Sequence, residues 1–178
     1  MSLPIPGGSL LRKADGIAGG IASRPGSGRA DVRPDRSAPS GVGAVIVEAG
    51  KVLLVKRRYE PLAGRWSIPG GTLELGETLE DGVAREMQEE TGLQIQVGPV
   101  IEVFDRIIFD ADRRVRYHFV LVDYLCWPIG GDLHAGSDVD AAVLVGPEEL
   151  DAYDLTEKAR AVIARALELD REAPRAVR

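Results

Sequence analysis

Glu86, Glu89 and Glu90 are spaced i, i+3 and i+4. In a helix that spacing puts all three carboxylates on one face, where each like-charged pair costs a few tenths of a kcal/mol. Three acids on a helix face are ordinarily a solvated surface, and such a surface usually carries Lys or Arg between them. The adjacent cation, Arg85, falls on a neighbouring face and is not placed to relieve all three charges. A divalent cation would be. Mg²⁺ takes hard oxygen ligands in octahedral geometry and keeps several of its waters.

The helix that must carry these acids is legible from its ends. Thr78, with Asp81 three residues on, forms a capping-box pattern that starts a helix at about Leu79. Gly92 closes it after Thr91 as a C-terminal cap. Val83 and Met87, four apart, form its buried face. Upstream, Gly41 to Glu48 (GVGAVIVE) reads as a buried strand, Ala49-Gly50 as a turn, and Lys51 to Arg58 as a returning strand. Pro61 and Gly64 punctuate a loop, Trp66 to Ile68 is short and extended, and Pro69-Gly70-Gly71 is a turn. Downstream, Leu93 to Phe109 and Val115 to Trp127 form a long hairpin about a polar turn, Asp110 to Arg113. Ala141 to Val145 is a further strand, and Pro147 opens a helical turn through Leu150. Thr156 caps a last amphipathic helix with Ala159, Val162, Ile163 and Ala166 as its stripe. The order predicts an α/β/α sandwich around a mixed β-sheet.

Around the three glutamates the spacing is more informative than the glutamates alone. From Gly71, Glu77 follows after five residues and Arg85-Glu86-Met87-Gln88-Glu89-Glu90 after seven more, and Thr91-Gly92-Leu93 closes the segment. This resembles the Nudix box, G-x5-E-x7-R-E-U-x-E-E-x-G-U with U a bulky aliphatic. Every specified position is matched, with Met87 and Leu93 at U. The Trp66-Ser67-Ile68-Pro69-Gly70-Gly71 lead-in is similar too, and the resemblance extends over residues 41–170.

The resemblance implies a Mg²⁺-dependent hydrolase, with Mn²⁺ as a substitute, that cuts a phosphoanhydride bond in a nucleotide-type small molecule. Glu86, Glu89 and Glu90 match the metal-binding carboxylates, and a backbone carbonyl of Gly70 or Gly71 often joins them. Arg85 and Glu77 would pair and orient the glutamates. Glu86 and Glu90 then stand in the catalytic centre, either with Glu86 as general base or with a carboxylate outside the box, Asp138 or Asp140, in that role. Arg58 matches a position that contacts substrate phosphate in MutT-like relatives. Trp66 reads as core, or as a platform for a base.

The box leaves the substrate open. Ile108 and Asp110 stand where ADP-ribose cutters commonly carry a proline and dinucleoside polyphosphate cutters a tyrosine. The leading reading is a nucleoside diphosphate linked to another group, such as ADP-ribose. The alternatives are a MutT-like pyrophosphohydrolase of nucleoside triphosphates, oxidised ones included, and a non-catalytic Nudix-fold binding module. Against the module stand an intact box and no helix-turn-helix pattern in the first 40 residues.

Composition bounds the partners. The 178 residues are 44% apolar and 28% charged, an ordinary globular make-up, and no apolar run would span a bilayer. The net charge of −6 is uneven: residues 1–40 hold six Arg or Lys against three Asp, so they carry +3 and the remainder −9. A body that acidic is a poor nucleic-acid binder. The first 40 residues, with seven Gly and five Pro, read as a flexible extension that could embrace a partner subunit in a homodimer. Residues 171–178 read as a tail. A lone cysteine, Cys126, reads as an apolar filler on a strand and fits a reducing cytoplasm. His118 and His134 have no partner at metal-ligand spacing.

Overall fold

The computed structural model describes residues 39–59 and 62–173. The extension at 1–38, Pro61 and the end of the C-terminal tail lie outside them. The chain runs through β1 (Ser40–Glu48), β2 (Lys51–Arg57), β3 (Trp66–Ser67), β4 (Gly70–Thr72), α1 (Leu79–Thr91), β5 (Leu93–Phe109), β6 (Val115–Gly131) and β7 (Val139–Val145). A 3₁₀ turn (Pro147–Tyr153) and α2 (Glu157–Glu172) complete it. The sheet has the order β3-β2-β1-β6-β5, with β4 also on β1 and β7 on β2. It is mixed, because β1 runs parallel to β6 and every other pairing is antiparallel. Among the described residues no helix is long and apolar enough to cross a membrane.

The unbroken apolar run of β1 follows from its central place, since a strand covered on both faces has no need to alternate. Val42, Ala44 and Ile46 pack with Val83 and Met87 of α1. Val45 and Val47, on the other face, pack with Val162, Ile163 and Ala166 of α2. The two helices therefore sandwich the sheet, each laying its apolar stripe against one face. Cys126 is fully buried on β6, and burial pushes its thiol up to about 12.

Several boundaries differ from the sequence expectation. β6 continues past Trp127 to Gly131, because Leu93 and Gln94 of β5 remain paired with Gly131 and Gly130. β7 begins at Val139, so Asp140 lies in a strand and not in the loop before it. Arg171 and Glu172, read as tail, complete the last turn of α2. The box helix starts and ends where its caps predict. Thr78 Oγ1 accepts the Asp81 amide at 3.1 Å. The reciprocal half differs, since the Thr78 hydroxyl donates to Asp81 Oδ2 and the Asp81 carboxylate does not take the Thr78 amide. At the other end Gly92, at φ 72°, sends its N–H to Gln88 O.

Two substitutions separate the terms that hold α1. Thr78→Ala should cost about 0.5–2 kcal/mol, the ordinary value of a cap. Met87→Ala should cost about 2–5 kcal/mol, because Met87 is fully buried between α1 and β1. Urea unfolding followed by circular dichroism checks both, and a cap variant that cost more than the core variant would reverse this ranking.

Candidate functional site

The acidic face of α1 meets β4 and the loop 132–138. Gly70 begins β4 with φ at 152° and its backbone tight against β1, where a Cβ would stand 2.3 Å from Val42 O. Only glycine fits there. The close approach aims the Gly70 amide at α1, and it donates to Glu90 Oε2 at 2.9 Å. Gly71 is equally confined, since a Cβ on it would lie 2.3 Å from the Glu86 carboxylate.

Arg85 does more than its position on a neighbouring face suggests. Its Nε and Nη2 donate to the two oxygens of Glu77 at 2.7 and 3.1 Å. Nη2 also donates to Thr72 O, and Nη1 donates to both Glu86 and Glu89 at 3.1 Å. Glu77 in turn accepts the Glu74 amide. Arg85 does not relieve all three glutamates, as its place on a neighbouring face implies: the long guanidinium side chain reaches Glu86 and Glu89 and not Glu90. Hydrogen bonding from Arg85 lowers the Glu77 carboxyl below its ordinary range.

Glu90 is the carboxylate Arg85 leaves out. It is 5% exposed, and burial pushes it up to about 7 against the Gly70 amide and the charge of Arg57. Glu86 is also raised, by burial first, with Glu89 and Asp138 adding to it and Arg85 opposing.

Loop 132–138 brings a fourth acid. His134 N and Gly136 N donate to the carbonyls of Thr91 and Glu90, which ties the loop to the end of α1. Arg58 holds the other side: Nε donates to Asp140 Oδ1 at 2.8 Å, Nη2 to Val139 O at 3.2 Å and Nη1 to Ser137 O. Asp138, whose Oδ1 accepts the Ser137 hydroxyl, then joins Glu86, Glu89 and Glu90 around a cavity of about 180 Å³. A larger hollow of about 340 Å³ adjoins it through Glu86, Glu90 and Asp138 and extends past Gly70, Gly71 and Arg85 to Arg57 and Tyr59.

Glu86, Glu89, Glu90, Arg85, Glu77, Gly71 and Asp138 are thus brought together. Asp140 and Arg58 are not in the cavity, because they spend their charges on each other beside it. Trp66 lies edge-on to Tyr153, with ring centres 5.1 Å apart, in the α2-side core and away from both hollows. Arg57 and Tyr59 were missed. The run Lys56-Arg57-Arg58 shows that a cation ends the strand, but a register shift after Lys56 decides which arginine faces the hollow. His118 pairs with Asp105, and His134 bonds the Asp132 carbonyl.

The donors suit a hard cation in their chemistry: carboxylate oxygens, one of them nearly buried and without a countercharge in contact. Among the described residues no three acidic, His or Cys side chains stand close enough to ligate one ion as they are. Arg85 engages Glu86 and Glu89, and the Gly70 amide engages Glu90. A cation would take these carboxylates over from Arg85.

The raised Glu90 sets a pH signature for the metal-free chain. Unfolded, Glu90 releases its proton near its ordinary value of 4.5; folded, it holds it to about 7. The folded state therefore binds more protons in that window, and stability falls as pH rises through it, by on the order of 1–3 kcal/mol. Denaturant titrations in EDTA from pH 4 to pH 8 should show a shallower fall for Glu90→Gln than for the wild type. Identical slopes would remove Glu90 as the source.

Residues 38–166 match the family model described as NUDIX domain. An "ADP-ribose pyrophosphatase" of Methanocaldococcus jannaschii is 39% identical over 101 residues, which are 57% of this chain and 57% of that protein. A "Putative 8-oxo-dGTP diphosphatase 2" of Mycobacterium tuberculosis is 36% identical over 115 residues, 56% of this chain and 77% of its own length. This chain thus spans little more than half of the archaeal relative. Among solved structures, a MutT NUDIX hydrolase from Burkholderia pseudomallei aligns with a TM-score of 0.63 at 30% identity, covering 71% of this chain and 96% of that one. With the family model matched over most of its length, the chain belongs to the NUDIX domain family.

Proposed function

We propose that this chain hydrolyses a phosphoanhydride bond in a nucleoside diphosphate derivative with Mg²⁺ as cofactor, and that ADP-ribose is the first substrate to test. The observation that carries the reading is the meeting of Glu86, Glu89, Glu90 and Asp138 at one cavity, continuous with a hollow that ends at Arg57. The archaeal relative named for ADP-ribose favours the substrate. A second reading, pyrophosphohydrolysis of nucleoside triphosphates, is favoured by the mycobacterial relative named for 8-oxo-dGTP.

Glu86, Glu89 and Glu90, with the Gly71 carbonyl, would hold Mg²⁺, which when bound neutralises phosphate charge and acidifies water. The chain's own residues do the rest. Arg85 and Glu77 set the rotamers of the glutamates from behind. Arg57, at the far wall, offers its guanidinium to the outer phosphate oxygens. Asp138 takes the proton from the attacking water. Among the described residues Asp138 faces the cluster with the Ser137 hydroxyl as its side-chain partner, whereas Glu86 is tied to Arg85 and Asp140 to Arg58. Water adds to one phosphorus, the bridging oxygen leaves with the other, and ADP-ribose would yield AMP and ribose 5-phosphate. We place this activity in the cytoplasm, where a single buried thiol meets no oxidising demand.

Glu90→Gln should abolish Mg²⁺-dependent turnover while the circular dichroism spectrum is retained. Asp138→Asn should lower kcat about 10²- to 10⁴-fold, the range of a lost general base, with little change in KM. ADP-ribose, nucleotide sugars, dinucleotides and triphosphates, each assayed with Mg²⁺, discriminate the two readings. Pyrophosphate release from triphosphates with ADP-ribose untouched would select the second, and full activity of Glu90→Gln would remove the metal assignment.

A further inference from the structure

Tyr59 stands beside Arg57 in the wall of the larger hollow and has no part in the chemistry described so far. Its place follows from how the end of β2 is held. The Arg58 amide donates to Asp138 O at 3.1 Å, and the Arg58 guanidinium binds Asp140, Ser137 and Val139. Arg58 is thereby committed to loop 132–138 and the start of β7. Side chains along extended backbone alternate. Arg57 and Tyr59, on either side of Arg58, both line the hollow that Glu86, Glu90 and Asp138 also line.

The Tyr59 ring is bare. It is 60% exposed, whereas Trp66, the other candidate platform, packs edge-on against Tyr153. Among the described residues no aromatic ring or cation stacks on Tyr59. A single exposed tyrosine is ordinary on a protein surface. Two observations set this one apart. Its tip is engaged, since Asp140 raises the Arg58 guanidinium and the Tyr59 hydroxyl adds to that effect. A ring held at its hydroxyl loses little further freedom when a ligand settles on its face. The hollow, moreover, has nothing else to offer a flat apolar group. Its other lining residues are acids, arginines, glycines and one threonine. These suit a diphosphate and its cation, and they leave the faces of a base in water.

We propose that Tyr59 is a substrate-binding residue, on whose ring the base of a nucleotide stacks while the diphosphate lies toward the carboxylates. Every base has a π-face, so this contact selects nucleotides as a class over phosphoanhydrides that carry no base. The inference rests on the hydrolase reading for the direction in which the ligand lies. Its test reads binding and is independent of turnover.

The probes are α,β-methylene-ADP and methylenediphosphonate, which share the same bridged phosphorus pair and differ in the nucleoside. Each is titrated calorimetrically, with Mg²⁺, into the full chain and its Tyr59→Phe and Tyr59→Leu variants. The wild type should bind the nucleotide about tenfold or more tighter than methylenediphosphonate. Tyr59→Leu keeps apolar bulk without a ring; it should melt as the wild type does, lose most of that preference, and bind methylenediphosphonate unchanged. Tyr59→Phe keeps the ring without the hydroxyl and should retain most of the preference. A Tyr59→Leu variant with undiminished nucleotide affinity overturns the proposal. So does an equal loss for both probes, which would trace the effect to the Arg58 brace, and so does a Tyr59→Phe variant as weak as Tyr59→Leu. A wild type that binds the two probes alike, or neither, also overturns it. The expected binding pattern in a chain that hydrolyses nothing would keep the stacking role and remove the hydrolase reading alone.

Discussion

A carboxylate on the inner side of α1 has been taken out of water with a single backbone amide to meet it. Glu90 accepts one hydrogen bond, from Gly70, and Arg85 does not reach it. Burying a charge on such terms is unfavourable, and the surrounding architecture exists in a form that tolerates it. Gly70 must lie against β1 for its amide to point at the helix, so β4 has no room for a side chain there. Gly92 ends α1 two residues after Glu90 in the left-handed region, where the chain enters β5 and the loop 132–138 caps the helix carbonyls. The cost is tolerable because α1 is anchored by apolar contacts from Val83 and Met87. A buried, under-compensated acid is also one that a bound cation would relieve.

Arg85 compensates the other acids of the site. The guanidinium joins Glu77, Glu86 and Glu89 in one planar network and spreads one positive charge over three acids. It therefore positions these carboxylates. Arg58 has a parallel role on the opposite wall, where it binds the backbone of loop 132–138 and Asp140 and presents Asp138 inward. The cavity is thus bounded by two arginine-centred braces, and of its four acids Glu86 and Glu89 pair with Arg85 while Glu90 and Asp138 pair with neither brace among the described residues.

Much of this could be read before any coordinates. The caps at Thr78 and Gly92 bound α1 because unpaired backbone groups at helix ends demand such residues, and the i, i+3, i+4 spacing of the glutamates then fixes their common face. The two-layer burial of β1 was implied by its unbroken apolar run. The choice between Arg57 and Arg58, and between Asp138 and Asp140, was not legible. Arg57 ends β2 while Arg58 lies just beyond it, and Asp140 is within β7 while Asp138 just precedes it, so the way these two strands meet decides which of each pair faces the hollow. Sequence places Arg58 and Asp140 as well as their neighbours; the fold pairs them with each other, and Arg57 and Asp138 line the larger hollow.

Local order sufficed for the elements, the helix face and the acids on it, because caps, turns and periodicity act within a few residues. Assembly had to supply everything that depends on strands distant in the chain. The parallel pairing of β1 with β6 sets Asp123 beside Gly43, and β4 on β1 sets Gly70 beneath Glu90. Neither contact leaves a mark on the sequence, since a glycine or an aspartate in a strand looks the same whatever strand comes to lie next to it.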